Sequence, residues 1–136
     1  MSRLLLLLLA ASLVTLVQAA PSPAELLQRY GTEARQATPG FSGFSAERGK
    51  ELYYRRNSKD GKTVSCASCH SDDPRHSGMT PSFRKIGPMA SAVNPERFSD
   101  PAKVEKWFRR NCDDVLSRAC TPLEKGDFLT FLTTLR

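Results

Sequence analysis

The chain has 136 residues, of which 20 are Lys or Arg and 14 are Asp or Glu, giving a net charge of +6. A chain of this length accommodates one small domain. The basic residues are scattered along the sequence and do not form one block, which argues against nucleic-acid binding.

The first 19 residues have the pattern of a secretory signal peptide. Arg3 supplies a positive charge, residues 4–17 are apolar, and Val17-Gln18-Ala19 offers small residues for cleavage before Ala20. The apolar run is too short for a membrane span, so we predict an exported, periplasmic protein without a stable membrane anchor. The remaining 117 residues carry 19 basic and 14 acidic side chains. Their net positive charge favours docking to an acidic protein surface.

Residues 20–44 predict an N-terminal helix followed by a linker. Ser22-Pro23-Ala24-Glu25 is a capping box with proline at the first helical position. One face of the helix is apolar, formed by Leu26, Leu27, Tyr30 and Ala34. Residues 37–44 include two Phe that we expect to pack against the rest of the protein.

A second helix is predicted from about Ser45, where the main domain, residues 45–136, begins. Gly49 and Tyr53 lie one turn apart on this helix, and a glycine inside a helix costs about 1 kcal/mol relative to alanine. Close approach of another helix would explain Gly49. We expect that partner to be the last helix, which starts at the capping box Thr121-Pro122-Leu123-Glu124 and presents Phe128, Phe131, Leu132 and Leu135 at helical spacing.

The segment Cys66-Ala67-Ser68-Cys69-His70 is the strongest chemical motif in the chain. Two thiols separated by two residues, with an imidazole directly after the second, are typical of covalent haem attachment. Each thiol can add to one vinyl group of the porphyrin, and the following His can bind the iron axially. We therefore predict one haem c, attached through Cys66 and Cys69, with His70 as the proximal iron ligand.

Two other kinds of site use a pair of cysteines at this spacing. A thioredoxin-like dithiol does not need the following His, and no βαβ pattern accompanies the motif. A zinc site would have to recruit Cys112 and Cys120, and their separation of eight residues is not a zinc-knuckle spacing.

Residues 71–100 carry four prolines and little periodicity, which predicts a long loop. A loop of this length in a compact domain usually surrounds something, and a haem would suit. Within it, Gly87-Pro88 is either an ordinary turn or part of the haem site.

Asp100 and Pro101 predict the start of another helix. Val104, Trp107, Phe108 and Asn111 then fall on one stripe that should face the core. Trp107 is either a plain core residue or part of the haem pocket. Cys112 and Cys120 are left over after haem attachment and should pair in an oxidising compartment. No strand pattern stands out, so the predicted fold class is all-α.

The sixth iron ligand separates an electron carrier from a gas-binding protein. No Met follows Met89, although a Met just before the last helix is the usual ligand in small electron-carrying cytochromes. His76 lies only six residues after His70, which is a short path around a porphyrin. Met89 directly follows Pro88, and nothing in the sequence holds Met79. Asn111 is either a ligand or a helix C-terminal cap.

The chain resembles two related groups of proteins. The Gly49 and Tyr53 pair and Gly87-Pro88 resemble the class I cytochromes c, and this resemblance implies that the Pro88 carbonyl accepts the Nδ1 proton of His70. The segments around Asn111, Cys112 and Cys120, together with Pro95-Glu96-Arg97-Phe98 and the haem motif, resemble the SHP-type high-spin cytochromes c. The second resemblance covers most of the chain from Ala46 onwards.

That resemblance implies a small helical fold wrapped around one haem, with Asn111 as the distal ligand of the oxidised iron. Asn111 would leave on reduction, so that O₂, NO or CO can bind. Cys112 and Cys120 would form a disulfide beside it, and the partner would be a cytochrome, in that family a dihaem cytochrome c. The alternatives are a plain electron carrier with a permanent strong ligand and an enzyme that turns over the bound gas, for which only His76 offers a spare imidazole.

Overall fold

The computed structural model describes residues 22–136, so the predicted signal peptide, residues 1–19, lies outside the described residues. Five α-helices dominate this part of the chain: α1 (Pro23–Ala37), α2 (Ala46–Tyr54), α3 (Ala67–His70), α4 (Pro101–Leu116) and α5 (Pro122–Thr134). A 3₁₀ turn, Pro95–Phe98, precedes α4. Among residues 22–136, no helix combines the length and apolarity needed to cross a membrane.

The predicted helix starts are confirmed by their caps. The Ser45 side chain accepts from the Arg48 N–H, the Asp100 side chain from the Lys103 N–H, and the Thr121 side chain from the Glu124 N–H. Each bond satisfies a backbone donor that the first turn of a helix leaves free. The local sequence therefore determines where α2, α4 and α5 begin.

Two short hairpins interrupt the helical chain, so the expectation of no strands is wrong in detail. β1 (Asn57–Lys59) pairs antiparallel with β2 (Lys62–Val64), and β3 (Gly78–Met79) pairs antiparallel with β4 (Lys85–Ile86). Asp60 and Gly61 form the first turn with φ of 51° and 73°. An Asp-Gly pair suits such a turn because both central residues need positive φ. The strands are too short to change the predicted all-α class.

The predicted contact between the second and last helices is confirmed. Gly49 is buried against α5, where a side chain would collide with the backbone carbonyl of Asp127. The Tyr53 ring lies 6.0 Å from Phe128 and 5.8 Å from Phe131, measured between ring centroids. Glycine at the crossing lets the two backbones approach, and the aromatic rings fill the space beside it.

Helix α1 packs on the same hydrophobic core, chiefly against α5. Tyr30 is fully buried, and its ring meets Phe108 of α4 edge-on at 6.1 Å. The Tyr30 hydroxyl donates to Glu105 at 2.6 Å, and Lys125 of α5 donates to the same carboxylate at 2.7 Å. This hydrogen-bonded cluster joins α1, α4 and α5.

Candidate haem-binding site

The two thiols of the motif lie at the ends of one helical turn. Cys66 caps α3, and its carbonyl accepts from the His70 N–H at 3.0 Å. Burial raises the pKa of the Cys66 thiol to about 11, and burial together with the nearby Asp114 carboxylate raises that of Cys69. The two thiols are not bonded to each other. A redox dithiol needs a lowered thiol pKa, so the electrostatics favour haem attachment over a thioredoxin-like role.

His70 is suited to bind a metal ion. Burial, with a smaller contribution from the charge of Arg97, lowers its pKa to about 4, so the ring is neutral at neutral pH. A neutral imidazole can donate its lone pair to iron. Its Nδ1 atom is buried and has no hydrogen-bond partner among residues 22–136. One unsatisfied ring nitrogen in a largely apolar setting fits an axial ligand.

The hydrogen bond predicted between His70 and Pro88 is not formed. The Pro88 carbonyl accepts from the Asn94 side chain at 2.9 Å, which satisfies this oxygen from another direction. A carbonyl has a second lone pair, so the role of Pro88 beside the haem stays a prediction.

The loop after the motif wraps closely around it. A side chain at Gly78 would collide with the backbone carbonyl of Cys69. The Pro74 carbonyl accepts from the N–H groups of Met89 and Ala90 at 2.8 and 3.0 Å. These contacts bring both ends of the 74–90 segment against α3, as the predicted wrapping loop requires.

A buried tyrosine supports the backbone on which His70 is mounted. The Tyr53 hydroxyl lies 2.9 Å from the His70 carbonyl and 2.7 Å from the Ser71 carbonyl. Ser71 itself has φ of 77° and ψ of 148°, a conformation that residues other than glycine rarely adopt. Tyr53 therefore holds a strained residue directly after the predicted iron ligand.

The other candidate iron ligands are differently engaged. Met89 is buried, and its sulfur accepts from Arg97 Nε at 3.0 Å. Met79 lies in β3 and is 51% exposed. The His76 side chain is 74% exposed, beside the carboxylate of Asp73, as expected for a surface loop.

Asn111 lies inside α4 and does not cap it. The helix continues to Leu116, and Ser117, with φ of 56°, is the left-handed C-terminal cap. The interpretation of Asn111 as a cap is therefore wrong. Its half-buried amide makes no hydrogen bond within residues 22–136, so the oxygen is free to bind a metal.

Cys112 and Cys120 are paired in the structure, as predicted. Their Cα atoms lie 5.6 Å apart, within the range of a disulfide. Arg118, between them, makes a two-pronged ion pair with Glu124 at 2.8 and 2.6 Å. The pairing and the ion pair join the end of α4 to the start of α5, next to Asn111.

The prediction that Trp107 shares the buried stripe of α4 is wrong. The buried face is formed by Val104, Phe108, Cys112 and Val115, whereas Trp107 is 44% exposed. Consecutive helical residues are separated by about 100°, which turns Trp107 away from that face. Its predicted role in the haem pocket is not decided by this exposure.

Arg97 is a residue that sequence reasoning did not single out. Its guanidinium is partly buried and contacts the Met89 sulfur and the Gly87 carbonyl, the latter at 3.2 Å. Burial lowers its pKa, and no Asp or Glu within residues 22–136 forms an ion pair with it. A partly buried cation without an anion near His70 fits a group that brings its own carboxylates, as haem does. Its only sequence signal was the segment Pro95-Glu96-Arg97-Phe98.

Comparison with known proteins agrees with this arrangement. Residues 39–132 match a family described as a domain of unknown function (DUF1924). The cytochrome c-type protein SHP of Cereibacter sphaeroides is 42% identical over 113 residues, covering 82% of each chain. Cytochrome c″ of Methylophilus methylotrophus is 36% identical over 112 residues, covering 81% of this chain and 78% of that protein.

Solved structures agree with the sequence relatives. The structure of oxidized SHP, described as an oxygen-binding cytochrome c, matches with a TM-score of 0.76 and 37% identity over 86% of this chain and all of that one. A solution structure of the Methylophilus cytochrome c″, described as giving insights into haem-ligand detachment, matches with a TM-score of 0.74 and 35% identity, covering 83% and 93% of the two chains. The chain therefore belongs to the SHP-type high-spin cytochrome c family and carries one covalently bound haem c within a helical cytochrome fold.

Proposed function

We propose that this protein is an exported monohaem cytochrome that binds small diatomic ligands such as O₂, NO or CO when reduced, and exchanges electrons with a partner cytochrome. When bound, haem c supplies an iron that changes oxidation state and offers one exchangeable coordination position. The residues of the chain then decide what occupies that position and how firmly.

Three residues hold the cofactor on the proximal side. Cys66 and Cys69 form the thioether bonds, and their spacing across one turn of α3 suits two neighbouring vinyl groups. His70, neutral at physiological pH, supplies the proximal ligand. Arg97 lies beside them with no ion-pair partner among residues 22–136, and we assign it to a haem propionate.

Asn111 is the proposed distal ligand, and its position inside α4 is the observation that carries the proposal. Its amide oxygen makes no hydrogen bond within residues 22–136, whereas the Met89 sulfur is engaged by Arg97. An amide oxygen is a weak, hard donor that prefers ferric to ferrous iron. Asn111 therefore dissociates easily on reduction, in keeping with the haem-ligand detachment for which a cytochrome c″ structure is described.

The surroundings of Asn111 limit which parts of α4 can move. Cys112 is tied to Cys120, so the backbone next to Asn111 is held while its side chain can rotate. Trp107 lies one turn earlier on the same helix, where it can border the space that an incoming gas molecule enters. We propose a periplasmic location, with the predicted signal peptide removed, and a dihaem cytochrome c as electron partner.

Absorption spectra of the exported holoprotein, with and without CO, test the proposal. We expect a mainly high-spin ferric spectrum and prompt CO binding on reduction. Asn111→Ala should alter the ferric spectrum but leave CO binding to the reduced form within about threefold, because Asn111 has already left the iron. Met79→Leu is the matched control and should change neither. A sulfur-to-iron charge-transfer band that Met79→Leu abolishes would establish a plain electron carrier instead.

A further inference from the structure

A basic stripe runs along the solvent face of α4. It consists of Lys103, Lys106 and Arg110, all exposed and spaced at i, i+3 and i+7 so that they share one side of the helix. Trp107 lies among them: the Arg110 guanidinium is 5.3 Å and the Lys106 ammonium 6.0 Å from its ring centroid. Cation–π contacts of this kind keep the charges close to the ring and reduce their side-chain freedom.

The stripe differs from most other basic side chains of the protein in having no internal partner. Seven other Lys and Arg residues in 22–136 form ion pairs with Asp or Glu, for example Arg48 with Asp127. None of the three stripe residues pairs with a carboxylate in that part of the chain. Their charge is therefore available to an external anionic surface.

The next turn of α4 brings this face to the haem attachment site. Lys59 Nζ, from the hairpin just before the haem motif, lies 2.6 Å from the Asp113 carbonyl. The Asp114 carboxylate is close enough to Cys69 to influence its thiol. The stripe thus continues along the helix towards the residue that bonds the porphyrin, with Asn111 next to Arg110.

We propose that the α4 basic stripe is the docking surface for an electron-transfer protein that presents an acidic patch. This inference rests on the electron exchange proposed above and names the surface and the charge of the partner. Complementary charges raise the rate of encounter and orient the partner near the haem edge. An anionic membrane fits less well, because Trp107 is the single large apolar side chain exposed on α4 and two acidic residues, Asp113 and Asp114, follow the stripe.

Charge reversal tests the surface directly on the holoprotein. Lys106→Glu/Arg110→Glu removes the centre of the stripe, and Arg84→Glu/Lys85→Glu is a matched control because it makes the same change in net charge on an exposed hairpin. Stopped-flow reduction by flavodoxin, an acidic electron-transfer protein, supplies the second-order rate. We expect the stripe variant to lose about tenfold or more at low salt and the control less than threefold. The difference should disappear at about 0.5 M salt.

Two results would overturn the docking surface. One is an equal rate loss in both variants, or no loss in either, which would mean that net charge or another surface guides the donor. The other is an unchanged flavodoxin rate together with loss of binding to phosphatidylglycerol vesicles in the stripe variant, which would make α4 a membrane-facing element. CO binding to the reduced stripe variant should stay normal. Failure of the gas-binding proposal is instead detected by the Asn111→Ala spectra, so the two failures are distinguishable.

Discussion

Gly49 of α2 faces the backbone carbonyl of Asp127 on α5 so closely that a methyl group at position 49 would overlap that oxygen. Asp127 cannot easily retreat, because its carboxylate accepts from the Ser45 N–H at 2.7 Å and from Arg48 at 2.7 Å. The helix crossing that supports Tyr53, and through it the haem motif, thus depends on the absence of a side chain at one position.

Gly49→Ala should therefore lower the free energy of unfolding of the holoprotein by about 2–3 kcal/mol, the usual cost of overpacking a tight contact. Chemical denaturation monitored by circular dichroism measures it. Gly31→Ala is the matched control, since its new methyl group would meet nothing nearer than 3.8 Å. The control should be neutral or stabilising by up to about 1 kcal/mol. An equal loss in both variants would contradict the role given to the crossing.

Much of this crossing could be predicted from the sequence, because its signals are local or periodic. The caps at Ser45 and Thr121, the glycine within a helical pattern and the aromatic spacing on α5 each act over a few residues. The haem motif is equally local. Such features survive folding because they need no knowledge of distant neighbours.

The features that were missed depend on three-dimensional neighbours or on a short signal that was overlooked. The Asp60-Gly61 pair marks a hairpin, but strands of three residues leave no alternating pattern to support it. Trp107 and Val104 fall on one helical stripe within a rotation that sequence cannot resolve to better than a residue. Arg97 gains its meaning only because the folded chain supplies it no carboxylate and places it near His70.

Tyr53→Phe should weaken the support of the iron-ligand backbone. The change keeps the ring in the core but removes the hydroxyl that contacts the His70 and Ser71 carbonyls. We expect a loss of about 1–2 kcal/mol in unfolding free energy. Adding Ser71→Gly should recover part of it, because glycine adopts positive φ without strain. Tyr54→Phe, whose more exposed hydroxyl contacts the Asp72 carbonyl, is the control and should cost less.

Arg97→Gln should lower the reduction potential. Removing a positive charge beside the haem stabilises ferric relative to ferrous iron, and we expect a fall of about 30–60 mV, up to a tenfold change in the one-electron equilibrium. Arg97→Lys keeps the charge and should retain most of the potential. Potentiometric titration followed by absorption gives both values. Identical potentials for the wild type and Arg97→Gln would remove the assignment of Arg97 to a propionate.

Glu124 should make stability depend on acid pH. Its hydrogen bonds from Arg118, reinforced by the Thr121 backbone, lower its pKa to about 2 although burial opposes the shift. Because the folded pKa lies below the unfolded value of about 4.5, the carboxylate stabilises the fold above that value and loses this effect as pH falls towards 2. Glu124→Gln should cost about 1–2 kcal/mol at pH 7 and flatten the curve between pH 5 and pH 2.

The control for Glu124 is Glu51→Gln, an exposed acid without an ion pair among residues 22–136. Denaturation midpoints measured across the pH range should keep the wild-type shape in this variant. If both variants flattened the curve equally, the acid sensitivity would come from the overall charge and not from the Arg118–Glu124 pair.

Replacing Cys112 and Cys120 by serine should affect ligand exchange as well as stability. Opening a loop of eight residues costs about 2.5 kcal/mol on the chain-entropy model. It also frees the backbone next to Asn111, so we expect CO association with the reduced protein to change severalfold and the ferric spectrum to become heterogeneous.

A second measurement separates the mechanical effect of the Cys112–Cys120 link from a general loss of stability. Tyr53→Phe lowers stability by a similar order but leaves the end of α4 intact, so its CO association rate should stay near that of the wild type. If both variants shifted the rate equally, ligand exchange would follow global stability. If the serine variant alone shifted it, the link holds the Asn111 backbone still while the amide moves.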